Sequence, residues 1–361
     1  MKSSVYIKFK CLTLAFCFLS CLGFGQVEIC DNRIDDDGDG LVDCLDPDCN
    51  NNISCFACDP SYYQVHSNSA LVLLDPFTGA YNQIGTISGV DQINAQAYNV
   101  LDGHVYAPAK IGDQQTLIML NKDGSTVDLG LDLGTGGIYF VGGADDEGFM
   151  YLARGNSNVV RIDLKREIID SYETMNISGL GIADFAFNVN KRKLYGVTGG
   201  SKLVEVDPIT ETKINYDLAG AINNDSGAFG AVWSNDSEFV FAYNNNSGKI
   251  YKIDLNDYTT AVVVNGTGNL STNDGFNCIN APSPFESSCS NGTDDDGDGL
   301  ADCDDPDCAA DNVCLVEICD NGIDDDGDGL VDCQDTECHS LSSCIEICDN
   351  GIDDNGDGYI D

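Results

Sequence analysis

Short apolar runs alternate with turn-forming residues between positions 59 and 281, and no run keeps a helical period. Runs rich in Val, Ile, Tyr and Phe, bounded by Gly, Asn and Asp, are typical of β-strands. One strand recurs at steps of 46, 42, 44 and 47 residues, which indicates an internal repeat. It ends each time on an acidic or amide residue, at Asp75, Asn121, Asp163, Asp207 and Asp254. We interpret the recurring Asp as a turn-forming side chain that caps its own backbone.

Two further strands recur in each unit. One carries an aromatic residue, at Tyr106, Tyr151, Tyr195 and Phe241, with Tyr62 or Tyr63 as its first member. The other is built of small apolar residues, which suit an innermost strand crowded around an axis. A unit of about 45 residues with four short strands has the size of a propeller blade. Because one blade cannot bury both of its faces, we predict a mostly β, five-bladed β-propeller over residues 58–281.

The last strand of this segment completes its first blade. The first unit begins at its second strand, residues 61–65, and the last strand, residues 274–278, supplies the missing innermost one. Cys58 and Cys278 flank these two strands, so we predict a disulfide bond between them that locks the ring. In the chain-entropy model a loop of this length adds about 5 kcal/mol of stability. The alternative is that one or both of them pair with neighbouring repeat cysteines such as Cys55.

A different repeat flanks the predicted propeller. Its cysteines are separated by 14, 5 and 6 positions in three complete copies, at 30, 44, 49 and 55, at 289, 303, 308 and 314, and at 319, 333, 338 and 344. We name these copies repeat 1 (residues 26–57), repeat 2 (286–314) and repeat 3 (315–344). Repeat 4 (345–361) is incomplete, because its second cysteine is due at position 362. We therefore expect the natural chain to continue beyond Asp361.

Each complete copy carries oxygen-bearing residues at positions 1, 3, 5, 9 and 12, with Gly at position 6, where Asp35 is position 1 of repeat 1. Repeat 4 follows the same pattern as far as position 9 and lacks position 12. This is the ligand pattern of an EF-hand-type loop, in which position 7 contributes a backbone carbonyl and calcium takes six to eight oxygens. Asp replaces Glu at position 12, which lowers the expected affinity. The predicted Ca²⁺ ligands are Asp35, Asp37, Asp39, Leu41, Asp43 and Asp46; Asp294, Asp296, Asp298, Leu300, Asp302 and Asp305; Asp324, Asp326, Asp328, Leu330, Asp332 and Asp335; and Asp353, Asn355, Asp357, Tyr359 and Asp361.

Nothing beside these loops reads as a helix, so we expect small calcium loops without long helices. Another divalent ion and a metal-free acidic tail are the alternatives, but a solvated tail does not explain the recurring Gly or the cysteine spacing. Zinc is disfavoured because the cysteines lack the short paired spacing of zinc sites. The Asp-rich loop with flanking cysteines resembles the thrombospondin type 3 repeat and related bacterial repeats, and the resemblance implies calcium binding.

The middle segment also carries a resemblance. Residues 73–79 (LLDPFTG) and 206–210 (VDPIT) are similar to strands of uncharacterised bacterial propeller-like domains with a YxIDPxTG-type pattern. This resemblance implies the propeller fold and says nothing about a ligand.

The net charge of −43 is concentrated in the flanking repeats. Residues 286–361 contain 25 acidic residues and no Lys or Arg. Without bound cations such loops repel themselves, so we expect their folding to depend on metal. The same charge excludes nucleic acid as a partner.

The N-terminus predicts export. Three lysines, Lys2, Lys8 and Lys10, precede an uncharged run over residues 11–24, and we interpret residues 1–25 as a signal peptide. A lipoprotein modified at Cys21 is the alternative. No later run is long and apolar enough to span a membrane. Because 18 cysteines indicate an oxidising compartment, we expect a secreted or outer-surface bacterial protein.

No catalytic constellation emerges. His66, His104 and His339 are scattered, and the Gly-rich stretches 134–137 and 197–200 lack the Lys and helix of a phosphate site. We expect a non-enzymatic calcium-binding protein, with metal-stiffened repeats as spacer and the propeller as an adhesion module for an extracellular glycan or protein. One alternative is a tethered propeller hydrolase or lyase, which would gather ionisable residues from several blades at one channel mouth. The other is a calcium-dependent adhesive surface formed by the repeats.

Overall fold

The computed structural model describes residues 27–341 and 344, except 51, 68, 236, 267–269, 271–272, 287, 297–298, 309–311 and 324–328. The predicted signal peptide, Cys21 and all of repeat 4 lie outside the described residues.

The middle segment folds into short strands. Blade 1 holds β1 (Tyr62–His66), β2 (Ala70–Leu74) and β3 (Tyr81–Thr86). Blade 2 holds β4 (Gln92–Ile93), β5 (Ala97–Asn99), β6 (His104–Ile111), β7 (Gln114–Leu120) and β8 (Thr126–Gly134). Blade 3 holds β9 (Val141–Ala144), β10 (Phe149–Ala153), β11 (Asn158–Asp163) and β12 (Glu173–Ser178), and blade 4 holds β13 (Ala186–Asn188), β14 (Lys193–Val197), β15 (Lys202–Asp207) and β16 (Thr212–Asp217). Blade 5 holds β17 (Ala219–Gly220), β18 (Phe229–Ser234), β19 (Phe239–Asn244), β20 (Ile250–Asp254) and β21 (Thr259–Val264), and β22 (Asn273–Phe276) follows.

The helical elements of the described residues are short 3₁₀ turns. They are Asp43–Leu45, Pro47–Cys49, Ala221–Asn224, Asp302–Asp304, Pro306–Cys308, Asn312–Cys314, Asp332–Gln334 and Thr336–Ser340. None of the helices found there is long and apolar enough to cross a membrane. The prediction of a mostly β protein without long helices is confirmed.

The ring closes as the sequence predicted. β22 returns from the far end of the chain and pairs antiparallel with β1, placing Tyr63 opposite Phe276 and Val65 opposite Asp274. Five sheets result, and the first contains strands from both ends of the segment. The Cys58–Cys278 disulfide lies beside this pairing and joins residues 220 positions apart. The alternative pairing with Cys55 is wrong, because Cys55 is bonded to Cys44.

The residues that end the recurring strands form turns. The Oδ1 atom of Asp75 accepts the Phe77 N–H at 2.9 Å, and Oδ1 of Asp207 accepts the Ile209 N–H at 2.8 Å. Asp254 caps its turn in the same way. The interpretation of these carboxylates as turn-forming is confirmed.

Small residues on the inner strands let the blades approach one another. A Cβ on Gly142 would overlap the backbone of Ala95 in blade 2, and one on Gly275 would lie 2.7 Å from the Ala231 Cβ in blade 5. Aromatic residues pack between neighbouring blades, where Trp233 of blade 5 is fully buried and stacks on Tyr62 of blade 1 with ring centroids 5.0 Å apart. Packing at the axis therefore fixes which positions must stay small.

Two details depart from a simple four-strand blade. The innermost strand of blade 2 is broken into β4 and β5, because Ala95 between them has a positive φ of 58°. Blade 5 carries an additional short strand, β17, which pairs parallel with β21. Neither departure changes the number of blades.

Candidate metal centres

Two disulfide bonds frame each complete repeat. The first cysteine bonds to the third and the second to the fourth, in the pairs Cys30–Cys49, Cys44–Cys55, Cys289–Cys308, Cys303–Cys314, Cys319–Cys338 and Cys333–Cys344. The sequence left this pairing open. Because these sulfurs are bonded to each other, they are not thiolate ligands. The cluster of Cys289, Cys308 and Cys314 is therefore part of the disulfide frame.

The first half of the metal loop folds around its own carboxylates. In repeat 1, Asp35 accepts the Gly38 N–H at 2.6 Å and the Gly40 N–H at 3.0 Å, and Asp37 accepts the Asp39 N–H at 3.0 Å. Gly40 at position 6 has a φ of 96°, which side chains rarely allow. Repeat 2 repeats this geometry, with Asp294 accepting the Gly299 N–H at 2.9 Å. These turns curl the backbone so that positions 1 and 3 lie on one side.

The position-12 residues carry the clearest indication of a cation. Asp46, Asp305 and Asp335 are each 1–3 % exposed. In each, Oδ1 caps the following 3₁₀ turn, at 2.6–2.7 Å from an N–H two residues later, while the buried Oδ2 has no hydrogen-bond partner among the described residues. Leaving a buried carboxylate oxygen unpaired is costly unless a cation contacts it. The three repeats therefore share an oxygen that fits a metal ion.

Other acidic side chains lie near the position-12 aspartate and near one another. Ligand atoms of Asp37, Asp46 and Asp48 lie within 4.8 Å of one another, as do those of Glu28, Asp35 and Asp37. A calcium ion with bonds of about 2.3–2.6 Å can bridge oxygens at such separations. Repeat 2 has the corresponding cluster of Glu286, Asp296 and Asp305. Oxygen atoms alone make up these sets, which suits calcium better than a softer metal.

The aspartate at position 9 bonds to the backbone at the start of its repeat, unlike the aspartates at positions 3 and 12. The Asp43 carboxylate accepts the N–H groups of Asn32 and Arg33 at 2.8–3.1 Å, ahead of the loop. Asp302 and Asp332 bind the matching N–H groups in their own repeats. Position 9 thus fastens the start of the repeat, and Asp43 is not among the clustered carboxylates of the described part of repeat 1.

The other predicted ligands of the described residues give less evidence for or against a bound ion. Asp39 accepts the Leu41 N–H at 2.8 Å and is exposed, as is Leu41. Outside the described residues lie Asp298, Asp324, Asp326, Asp328, Asp353, Asn355, Asp357, Tyr359 and Asp361.

Two acidic positions were missed by sequence reasoning. A buried Glu precedes each loop, as Glu28, Glu286 and Glu317. Glu28 accepts the N–H groups of Asp36 and Asp43, both at 2.8 Å, so it ties the two halves of the loop together. The recurring Glu-Ile-Cys at residues 28–30, 317–319 and 346–348 was the available signal.

The other missed position lies two residues after position 12, as Asp48, Asp307 and Glu337. Burial, together with the charge of Asp305, raises the pKa of Asp307 to about 6. Crowding of carboxylates in this part of repeat 2 is therefore unfavourable without a counter-charge.

Repeat 1 is docked on the propeller. The guanidinium group of Arg33 donates to the Tyr106 hydroxyl in blade 2 at 2.9 Å and to the carbonyls of Leu164 and Arg166 in blade 3 at 2.6 and 2.7 Å. The carboxylate of Asp43 lies 3.4 Å from Nε2 of His104, and both side chains are fully buried. The first metal loop is thus joined to two blades.

The propeller axis is nearly closed. A void of about 20 Å³ is lined by inner-strand residues of all five blades, among them Gln96, Gly142, Ala186, Val232 and Gly275. This space holds about one water molecule. Asp184 and Asp274 are buried close by, on blades 4 and 1.

Fold and site define a five-bladed β-propeller with acidic, disulfide-framed repeats. The chain belongs to the family described as "Repeat of unknown function (DUF6923)", whose model matches residues 64–280, more than half of the chain. That match covers the propeller and leaves the flanking repeats outside. No curated protein matches the chain.

Several solved structures are similar to this chain at low sequence identity. A Bacteroides thetaiotaomicron protein of unknown function is 14 % identical with a TM-score of 0.43, covering 61 % of this chain and 65 % of that chain. A chain of the nidogen/laminin complex is 14 % identical with a TM-score of 0.44, covering 61 % and 82 %. Virginiamycin B lyase from Staphylococcus aureus is 10 % identical with a TM-score of 0.37, covering 55 % and 63 %. Such likeness supports no transfer of activity.

Proposed function

We propose that the protein is an exported, non-enzymatic calcium-binding protein whose repeats bind Ca²⁺ and whose propeller binds an extracellular glycan or protein. The single observation that supports calcium is the buried, unpartnered Oδ2 of the position-12 aspartate in all three described repeats. A proton on that oxygen would need an acceptor, whereas a cation needs only further oxygens. The clustered carboxylates of repeats 1 and 2 supply them.

Calcium in this proposal completes the repeats. The described residues hold the loop in place through backbone bonds to Glu28 and Asp43, and the ion neutralises the carboxylates that remain. Because repeat 1 is docked on blades 2 and 3, it acts as part of the propeller body and not as a spacer. Repeat 2 also contacts the propeller, because Lys252 of blade 5 donates to the Glu286 carbonyl at 3.0 Å. The spacer role in this proposal therefore belongs to the repeats that follow repeat 2.

The axis gives a catalytic centre little room, because its void of about 20 Å³ is far below the pockets of about 300–1,000 Å³ that hold small molecules. A larger pocket of about 540 Å³ in blade 1 is lined by apolar and aromatic side chains such as Leu74, Phe77 and Tyr81, which suits a binding role. The disulfides agree with an oxidising, extracellular location. A glycan array probed with the calcium-loaded chain tests the binding role, and hydrolysis or lysis of an arrayed glycan would contradict it.

Calorimetric titration of the full chain, after chelator treatment, tests the calcium sites. We expect saturable uptake of at least one ion per repeat, and loss of one ion each in Asp46→Asn, Asp305→Asn and Asp335→Asn. The amide keeps the Oδ1 that caps the next turn, so only the charge is lost. Asp113→Asn, at an exposed propeller turn, is the matched control and retains all ions. Absence of uptake at millimolar calcium, or equal uptake in all variants, would overturn the proposal.

A further inference from the structure

The pocket of about 540 Å³ in blade 1 lies where the turn between β2 and β3 meets the segments that enter and leave the propeller. Its apolar wall is formed by Leu74 and Tyr81, which pair across the two strands, and by Phe77 in the turn. Three prolines complete this wall, Pro60 before β1, Pro76 in the turn and Pro284 after β22. The pocket is therefore large enough for a ligand and is lined mainly by rings and aliphatic side chains.

The turn that carries Phe77 is held by Asp75. Oδ1 of Asp75 accepts the N–H groups of Phe77 and Thr78 at 2.9 and 3.2 Å, and Oδ2 accepts the Thr78 hydroxyl at 2.7 Å. In blade 4 the equivalent turn after Asp207 carries Ile209 at the same position. The turn itself therefore does not require an aromatic residue, and Phe77 is the only aromatic residue at this position in the five blades.

Phe77 and Tyr81 are anchored and still accessible. Their exposed fractions are 49 % and 52 %. Phe77 packs edge-on against Phe285 with ring centroids 5.3 Å apart, and Tyr81 packs edge-on against His66 at 4.8 Å. A ligand that covers rings already fixed in this way loses little side-chain entropy on binding.

The polar part of the lining is acidic. It consists of Asp59, Ser61, Asp75 and Asn82, and none of the described residues that line the pocket is a Lys, Arg or His. Oδ1 of Asp59 accepts the Ser61 N–H at 3.1 Å, and Asp59 makes no other hydrogen bond among the described residues. The net charge of the chain is −43. An anionic ligand is therefore repelled, whereas a cationic group beside an apolar one is attracted.

These features favour a peptide over a glycan. A sugar ring carries hydroxyl groups along its edge that need hydrogen-bond partners when they leave water, and this lining offers few. Both carboxylate oxygens of Asp75 are already used by its own turn. A proline-rich segment presents apolar rings and few N–H groups, and its extended polyproline II conformation binds in grooves lined by aromatic side chains.

We propose that the blade 1 pocket binds an extended, proline-rich peptide segment that carries a Lys or Arg side chain beside its prolines. Phe77 and Tyr81 contact the proline rings, and Asp59 pairs with the cationic side chain. This inference rests on the binding role proposed for the propeller, and it makes the partner a protein. It does not depend on calcium in the repeats.

Fluorescence anisotropy of a labelled synthetic peptide, titrated with the full chain at saturating calcium, tests this site. The probe consists of proline and leucine with one Arg at its end, and two further probes carry Glu or Gln in place of that Arg. We expect saturable binding of the Arg peptide and binding of the Glu peptide that is about tenfold weaker. No binding of the Arg peptide, or equal binding of the Arg and Glu peptides, would overturn the proposal.

Two variants locate the binding on the chain. Phe77→Ser should weaken binding of the Arg peptide about tenfold, whereas Ile209→Ser, the same change in the equivalent turn of blade 4, should leave it unchanged. Asp59→Asn still accepts the Ser61 N–H, so it should weaken binding of the Arg peptide but not of the Gln peptide. Near-ultraviolet circular dichroism checks that each variant is folded. Equal effects of Phe77→Ser and Ile209→Ser would also overturn the proposal.

The glycan array separates this inference from the binding role on which it rests. If wild type binds an arrayed glycan and none of the peptides, the peptide site is wrong and the binding role stands. If it binds neither, both are wrong.

Discussion

The guanidinium Nε of Arg33 lies 2.9 Å from the hydroxyl oxygen of Tyr106, and this bond fixes the first acidic repeat on the propeller. Arg33 has a φ of 66°, at the position where repeats 2 and 3 have Gly292 and Gly322. A left-handed conformation costs a side-chain-bearing residue about 1 kcal/mol or more. The chain accepts this strain because only a long cationic side chain at this point reaches blades 2 and 3 together.

Replacing Arg33 with glycine removes the docking without straining the repeat. We expect Arg33→Gly to lower the free energy of unfolding of the propeller by about 1–3 kcal/mol, since charged hydrogen bonds are lost while backbone strain is relieved. The measurement is guanidinium unfolding at saturating calcium, followed by Trp233 fluorescence. Arg33→Lys is the control, because it keeps the charge and the backbone strain but not the forked geometry of the guanidinium group. Its free energy of unfolding should lie between those of the wild type and Arg33→Gly. Equal stability of all three proteins would show that the docking contributes nothing.

The position-9 aspartate should contribute to the stability of the propeller in repeat 1 but not in repeat 3. Asp43 is fully buried beside His104, whereas Asp302 and Asp332 have no such neighbour on the propeller among the described residues. We expect Asp43→Asn to destabilise the propeller by about 1–3 kcal/mol, because a buried charged hydrogen-bond acceptor is lost. Asp332→Asn, the same change in repeat 3, should leave propeller unfolding unchanged. Thermal unfolding followed at Trp233 distinguishes them, and equal shifts would mean that Asp43 acts only inside its own repeat.

The blade architecture could be predicted from the sequence because its strands and turns recur at a regular spacing. The recurring Asp75 and Asp207 turns and the small inner strands repeat at one spacing, and ring closure follows from where the first and last strands fall. The Cys58–Cys278 bond followed from that closure. Each of these inferences needed only local pattern and strand order.

The internal bonding of the acidic repeats could be predicted less well from the sequence. EF-hand spacing predicts position 9 as a ligand, and this stays a prediction; the spacing alone gave no sign of the further bonds that position 9 makes. Glu28 and the disulfides hold the loop ends, and Asp43 is used to fasten the N-terminal turn. A contact such as that of Arg33 with the Leu164 carbonyl, 131 positions away, leaves no local signal in a single sequence.

Acid should weaken the propeller through His66. Burial lowers the pKa of His66 to about 4, below the value of about 6.5 expected in the unfolded chain. The unfolded state therefore binds more protons between these values, so the His66 contribution is complete above pH 6.5 and is lost as the pH falls toward 4. In the fold, Nε2 of His66 lies 2.7 Å from Oε1 of Gln64, and the ring packs edge-on against Tyr81.

We expect His66→Gln to flatten the pH dependence of the unfolding midpoint over this range. The matched control is His339→Gln in repeat 3, where the histidine is exposed and its replacement should leave the slope unchanged. Both are compared with wild type by urea unfolding at saturating calcium, so that loss of repeat calcium affects all three equally. Parallel curves for wild type and His66→Gln would show that other groups cause the acid sensitivity.

Removing the Cys58–Cys278 bond should open the ring at the joint between β22 and β1. The bond closes a loop of 220 residues, for which the chain-entropy model gives about 5 kcal/mol. We expect Cys58→Ala/Cys278→Ala to lower propeller stability by up to that amount and to expose Trp233, because the Tyr62 on which it stacks belongs to β1. Cys319→Ala/Cys338→Ala, which removes a bond of repeat 3, is the control and should not change Trp233 unfolding. If the two double variants unfolded alike, strand pairing alone would be sufficient to close the propeller.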